Sequence, residues 1–267
     1  MGGFLIGIKS LKTKKSRDEL GVFLVEGEKF VKEIPVSYRI VQYIVSDGYR
    51  RSTEALKNRA NVLEVNKALL DRVAQTASPQ GILAVVEKKH YTYEEASIGD
   101  GFVLVCECIN DPGNLGSLIR TAAAAEASCV VLTHGSASVW NPKVQRASAG
   151  AALNLPVAED IGLYEVAKHA KKHNIPLYAA HQRSGILPFD LDLSKKFCLI
   201  LGSESHGLSE TAEKLADALI RLPMSANVES LSVAAAGSII MYESVRQKNS
   251  LISAPESLKE GNKPLSV

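Results

Sequence analysis

Between residues 101 and 247 the chain repeats one order: a short apolar run, a turn rich in Gly, Pro, Asn or Ser, then a helical stretch. The runs "FVLVC", "CVVLTH", "PLYAAH", "FCLILG" and "ALIRL" lack the polar alternation of a half-exposed strand. Strands apolar on both faces belong in a mostly parallel sheet covered by helices on each side. Such sheets place ligand sites beyond the carboxyl ends of their strands. Three conspicuous loops follow strands here, at 110–116, 202–207 and 223–230.

The fold class expected is therefore α/β, in two parts. Residues 1–90 form a smaller α/β unit, with strands at "VFLVE", "IVQYIVSD", "NVLEVN" and "GILAVVEKK" and a helix at "KALLDRVAQT". Residues 91–99 are polar without apolar periodicity and read as a linker. Residues 100–249 hold the parallel-sheet domain. Residues 250–267, "SLISAPESLKEGNKPLSV", read as a flexible tail. A length of 267 residues suffices for two modest domains.

The net charge of +2 barely favours nucleic acid, but its distribution is uneven. Lys12, Lys14, Lys15 and Arg17 all precede the first acid, Asp18. Such a segment can bind phosphate, and a solvated terminus is the equal alternative. The four cysteines lie in or beside apolar runs and read as buried reduced thiols. Cys-x-Cys without a second Cys/His pair makes a poor zinc site, so no metal is expected. No apolar run reaches membrane-spanning length, and a cytoplasmic protein without membrane contact is expected.

Each loop offers chemistry beside a bland alternative. Gly202 and Gly207 of "GSESHGL" permit close approach of a ligand to backbone, as would a simple tight turn. The loop is not G-x-S-x-G, and the chain has no P-loop and no dinucleotide fingerprint. Ser230 and Ser232 straddle the start of a helix rich in small residues. In "NDPGNLGSLIRTAAAAEAS", Pro112 and Gly113 force a turn, Asn114 is placed at the N-cap, and the helix is expected over 115–127. Arg120 then stands at the edge of the helix's core face, either to bind phosphate or to make a surface ion pair.

The segments "NDPGNLGSLIRTA", "LILGSESHGLS" and "LPMSANVESLSVAAAGSIIMYE", in this order and spacing, resemble the three motifs of the SpoU/TrmH family. These are S-adenosylmethionine-dependent RNA ribose 2'-O-methyltransferases of the SPOUT superfamily. "NPKVQRASAGA" between the first two motifs is also similar to the family. "FLVEGEKFVKE" and "TASPQGILAVV" resemble its smaller RNA-binding domain, itself ribosomal-protein-like. The resemblance implies a deep trefoil knot in the catalytic domain and a homodimer formed through it, with the active site bordering the interface. It places catalytic roles on Asn114, Arg120, Glu204 and Ser232, and cofactor contacts on Gly202, Gly207, Leu222, Met224 and Leu231. Ser232 departs from the commoner Asn of the third motif.

The reaction so implied is methyl transfer from S-adenosyl-L-methionine to a 2'-hydroxyl of structured RNA, with 23S ribosomal RNA favoured by the two-domain layout. Transfer RNA is the alternative substrate. A non-catalytic RNA-binding relative and an enzyme of small phosphorylated metabolites are the rival readings.

Overall fold

The computed structural model describes residues 8–49 and 53–253. Two sheets organise them. The first has four strands, β1 (Val22–Glu26), β2 (Ile40–Ser46), β3 (Val62–Val65) and β4 (Ile82–Glu87), in the order β1-β4-β2-β3. β4 runs antiparallel to both neighbours, and β3 joins β2 in parallel.

The second sheet has six strands: β5 (Val103–Cys106), β6 (Cys129–Leu132), β7 (Val157–Ala158), β8 (Leu177–Ala180), β9 (Cys198–Leu201) and β10 (Ala218–Ile220). Its order is β10-β8-β9-β5-β6-β7, and every adjacent pair is parallel. The chain starts in the middle at β5, builds outward through β6 and β7, then returns to build the other half. β5 and β9 therefore flank the point where the winding reverses, the place where open α/β sheets leave a crevice at their carboxyl ends.

The strands sort their side chains between two cores, as a period of two requires. Leu104, Cys106, Val130, Leu132, Leu199 and Leu201 face helices Pro112–Ala124, Pro142–Ala147 and Val233–Ser253. Val103, Val105, Val131 and Ile200 face helices Leu163–Lys172 and Glu210–Leu215 on the other side. The small domain sits on the first of these faces. Trp140 of the large domain packs on Phe23 of β1 in a tilted arrangement at 4.5 Å between ring centroids and meets Tyr38 edge-on at 6.4 Å, so the two domains share one apolar core.

Three expectations change. The segment 91–99 holds a four-residue helix, Tyr93–Ala96, closed by a capping box between Thr92 and Glu95. Tyr93 is fully buried there, with its hydroxyl 3.6 Å from the Cys198 sulfur, and burial raises the phenol's pKa. One helical turn is too short to show periodicity. The helix expected over 115–127 begins at Pro112, and Asp111 caps it by accepting the Asn114 N–H at 2.7 Å. Proline suits the first helical position because its missing N–H would have had no partner there. The C-terminal helix runs to Ser253, and residues 254–267 lie outside the described residues.

Arg17 is also corrected as a phosphate ligand. It is buried at 3% exposure, and its guanidinium donates to the carbonyls of Leu11 at 2.9 Å and Lys12 at 3.0 Å. It fastens the first turns of the chain, while Lys12, Lys14 and Lys15 stay exposed.

Candidate active site

Beyond the carboxyl ends of β8, β9 and β10 lies a pocket of about 240 Å³. Leu201, Ile220, Leu222, Met224 and Ile240 supply its apolar surface. The glycine loop 202–207 forms one wall, and Ser230, Leu231 and Ser232 form another. All five residues expected at a cofactor, Gly202, Gly207, Leu222, Met224 and Leu231, line this one space.

The loop's shape follows from its glycines. Ser203 and Gly207 exchange backbone hydrogen bonds at 3.0 and 2.9 Å, closing a tight turn. A Cβ on Gly202 would stand 2.3 Å from the Gly207 carbonyl carbon, so only glycine fits. Gly207 has φ +68° with open space on its free side. Between them Glu204 is exposed, and its Oε1 accepts the Asn114 side-chain amide at 2.9 Å. Because Asp111 rather than Asn114 caps the helix, the Asn114 amide is free to cross the reversal point and hold this loop. Beneath them Cys106 is fully buried, and burial together with the Glu204 carboxylate keeps its thiol protonated.

Ser232 lines the pocket and caps the C-terminal helix, accepting the Ala235 N–H at 3.2 Å. That helix is pressed against the sheet at Gly237, where a Cβ would lie 2.4 Å from Leu201 and 2.7 Å from Leu118. Arg120 is placed differently. It is exposed, does not line the pocket, and makes no hydrogen bond or ion pair with a described residue. Its helix is fixed to the C-terminal helix by Thr121 and Ser238, whose hydroxyls are 3.1 Å apart.

Residues 101–242, more than half of the chain, match the family model described as SpoU rRNA Methylase family. The chain belongs to the SpoU rRNA methylase family. Residues 7–84 match an MRM3-like substrate binding domain. The chain is 32% identical over 234 residues to the 23S rRNA (guanosine(2553)-2'-O)-methyltransferase RlmP of Bacillus subtilis, across 88% of this chain and 92% of that protein. It is 31% identical to the 23S rRNA (guanosine-2'-O-)-methyltransferase RlmB of Xanthomonas axonopodis pv. citri, across 73% and 81%. Among solved structures it superposes on the SpoU methyltransferase AviRb from Streptomyces viridochromogenes, in complex with the cofactor AdoMet. The TM-score is 0.85 at 26% identity, covering 92% of this chain and 98% of that one. An AdoMet-bound rRNA methyltransferase from Sinorhizobium meliloti gives 0.83 at 26% identity, covering 91% and 94%.

Two residues that brace these loops were not singled out by the sequence. Glu107 is buried, and its Oε2 accepts the Ser209 N–H at 3.1 Å, tying the end of β5 to the chain just past the glycine loop. The only signal was one acid inside "VCECI". His181 lines the pocket, and its Nδ1 accepts the N–H groups of Arg183 at 3.2 Å and Ser184 at 3.0 Å. It thereby shapes the turn that forms the third wall, which no local pattern announced.

Proposed function

We infer that this protein transfers a methyl group from S-adenosyl-L-methionine to a ribose 2'-hydroxyl of 23S ribosomal RNA. The observation carrying this reading is the Asn114–Glu204 hydrogen bond beside the glycine-walled pocket, in a chain with an appended substrate-binding domain. The pocket suits the cofactor: an apolar slot between Leu201, Leu222 and Ile240 for a base, with backbone and hydroxyl groups of the glycine and serine loops for its polar edges. When bound, the cofactor supplies an electrophilic methyl group on a sulfonium.

The residues here then have to prepare a poor nucleophile. Asn114 and Glu204 hold the glycine loop against the start of helix Pro112–Ala124. Arg120 provides an unpaired guanidinium that stabilises negative charge on the 2'-oxygen. Ser232 offers its hydroxyl proton to the ribose while its oxygen caps the helix.

Arg120 faces outward, and this supports a homodimer. On helix Val233–Ser253, which Thr121 and Ser238 tie to the helix of Arg120, Ile239 and Tyr242 are half-exposed, and Leu231 of the pocket lining is exposed. A second copy laid on this apolar face would bring its own pocket towards Arg120. A trefoil knot in this region is proposed on the family resemblance, and crowding at Gly185 and Gly237 supports it, since a Cβ at each would overlap a segment distant in sequence. No helix among the described residues is long and apolar enough to cross a membrane, and cytoplasmic location remains part of the proposal.

The test is to incubate the protein with isotopically labelled S-adenosylmethionine and unmodified 23S rRNA, then map label by nuclease digestion and mass spectrometry. Label at one ribose 2'-oxygen is expected. Label on a base, or on transfer RNA in preference to 23S rRNA, would overturn the reading.

A further inference from the structure

Most cations of the small domain are already committed. Lys32 pairs with Glu28 at 2.6 Å, Arg39 with Glu87 at 2.8 Å, Lys67 with Asp71 at 2.7 Å and Lys88 with Asp18 at 2.6 Å. The Arg59 guanidinium is spent on the carbonyls of Ile34 and Pro35. Lys12 and Lys14 remain exposed on the small domain, and the seam between the domains offers a second group of free cations. We propose that Arg146, assisted by Lys143, grips an RNA phosphate at the seam between the two domains, as a positioning residue for the methylated strand. The proposal rests on the reading of the protein as an RNA methyltransferase.

Three observations lead there. Arg146 and Lys143 are exposed and make no side-chain hydrogen bond or ion pair with a described residue. Their helix, Pro142–Ala147, is in backbone-close contact with the helix that carries Arg120: a Cβ on Gly116 would stand 2.4 Å from Ala147 and 2.8 Å from the Val144 carbonyl oxygen. Arg120 lies one turn further along from Gly116. Finally, Arg146 lines a narrow cavity with Gln145 on its own side and Glu26, Phe30 and Gln75 of the small domain opposite.

That seam leaves one amide donor unmet beside the free guanidinium of Arg146, with the Glu26 carboxylate on its far side. The Gln75 side-chain nitrogen is buried without an acceptor, while Glu26 already accepts from the Gln75 N–H and the Thr76 hydroxyl. A phosphate supplies the missing acceptors and matches a guanidinium fork. The exposed Lys168, Lys171 and Lys172 are poorer candidates. Their helix packs on the opposite face of the sheet, away from both Arg120 and the small domain. The alternative role for Arg146 is structural, as a cation in the last turn of its helix.

The experiment measures binding of full-length protein to an unmodified 23S rRNA transcript across a salt series. R146A is expected to weaken binding about tenfold and to lower the slope of log affinity against log salt by about one. R146K is expected to keep the slope and recover part of the affinity. Cofactor affinity and the thermal midpoint should not move in either variant. Wild-type affinity and slope in R146A, or a lowered midpoint with the slope intact, would overturn the proposal. Failure of the wild-type protein to bind and methylate the transcript would instead overturn the functional reading, and this inference with it.

Discussion

Asn114 donates its side-chain amide to Oε1 of Glu204 at 2.9 Å, joining the loop after β5 to the loop after β9. These loops diverge where the sheet reverses its winding, so one hydrogen bond spans the crevice and fixes its rim. Removing the amide frees the glycine loop. N114A is expected to lower kcat/KM by roughly ten- to a hundredfold, as loss of a hydrogen bond to a charged group implies. Steady-state kinetics check it, and a fold unchanged by circular dichroism separates this from unfolding.

The two close-packed glycines of the site should respond differently. At Gly202 an added Cβ meets the backbone of Gly207, which cannot yield, so G202A should abolish cofactor binding. At Gly237 the Cβ meets the tips of Leu201 and Leu118, which can rotate. G237A should bind cofactor and lose about 1–3 kcal/mol of stability. Calorimetric titration and denaturant melts on the two variants distinguish them.

Trp140 tests whether the domains share a core. W140A empties the space against Phe23 and Tyr38 and is expected to cost about 3–5 kcal/mol. Its indole N–H is buried without a partner, so no hydrogen bond is lost with it. Hydrogen exchange should rise in β1 and β4 of the small domain. Independent melting of the domains in the wild-type protein would contradict the shared core.

His169 should make stability depend on pH. Its Nε2 lies 3.1 Å from the Ser97 hydroxyl, and its ring packs on those of Tyr93 and His173. Burial, then the neighbouring His173, lowers its pKa below the ordinary 6.5. Protonation is thus harder in the folded state. The stability it confers is complete above the ordinary value and is lost as pH falls through the lower folded one. Urea midpoints at about pH 7.5 and about pH 5 should differ more in the wild type than in H169Q.

Much of the architecture was legible because the strands of the large domain are buried on both faces. Runs such as "FVLVC" and "FCLILG" admit few other readings, and the expected strands of the small domain match β1 to β4. Helix ends were less legible: Asp111 took the cap expected at Asn114, and the Tyr93 helix left no pattern. Arg17 looked like its basic neighbours, and only the fold shows it turned inward to two carbonyls. The roles of Glu107 and His181 depend on partners supplied by the folded chain, and composition carries no trace of them.

The proposed mechanism rests mainly on Arg120, whose guanidinium is exposed and unpaired among the described residues. The most direct measurement compares single-turnover methylation of 23S rRNA by wild type, R120A and R120K, alongside calorimetric cofactor affinity. Both variants should bind cofactor as the wild type does and methylate roughly 10²- to 10³-fold more slowly, the size of effect seen when a charge-stabilising donor is removed. Wild-type rates in R120A, or a loss of rate explained entirely by lost cofactor binding, would remove this arginine from the chemistry.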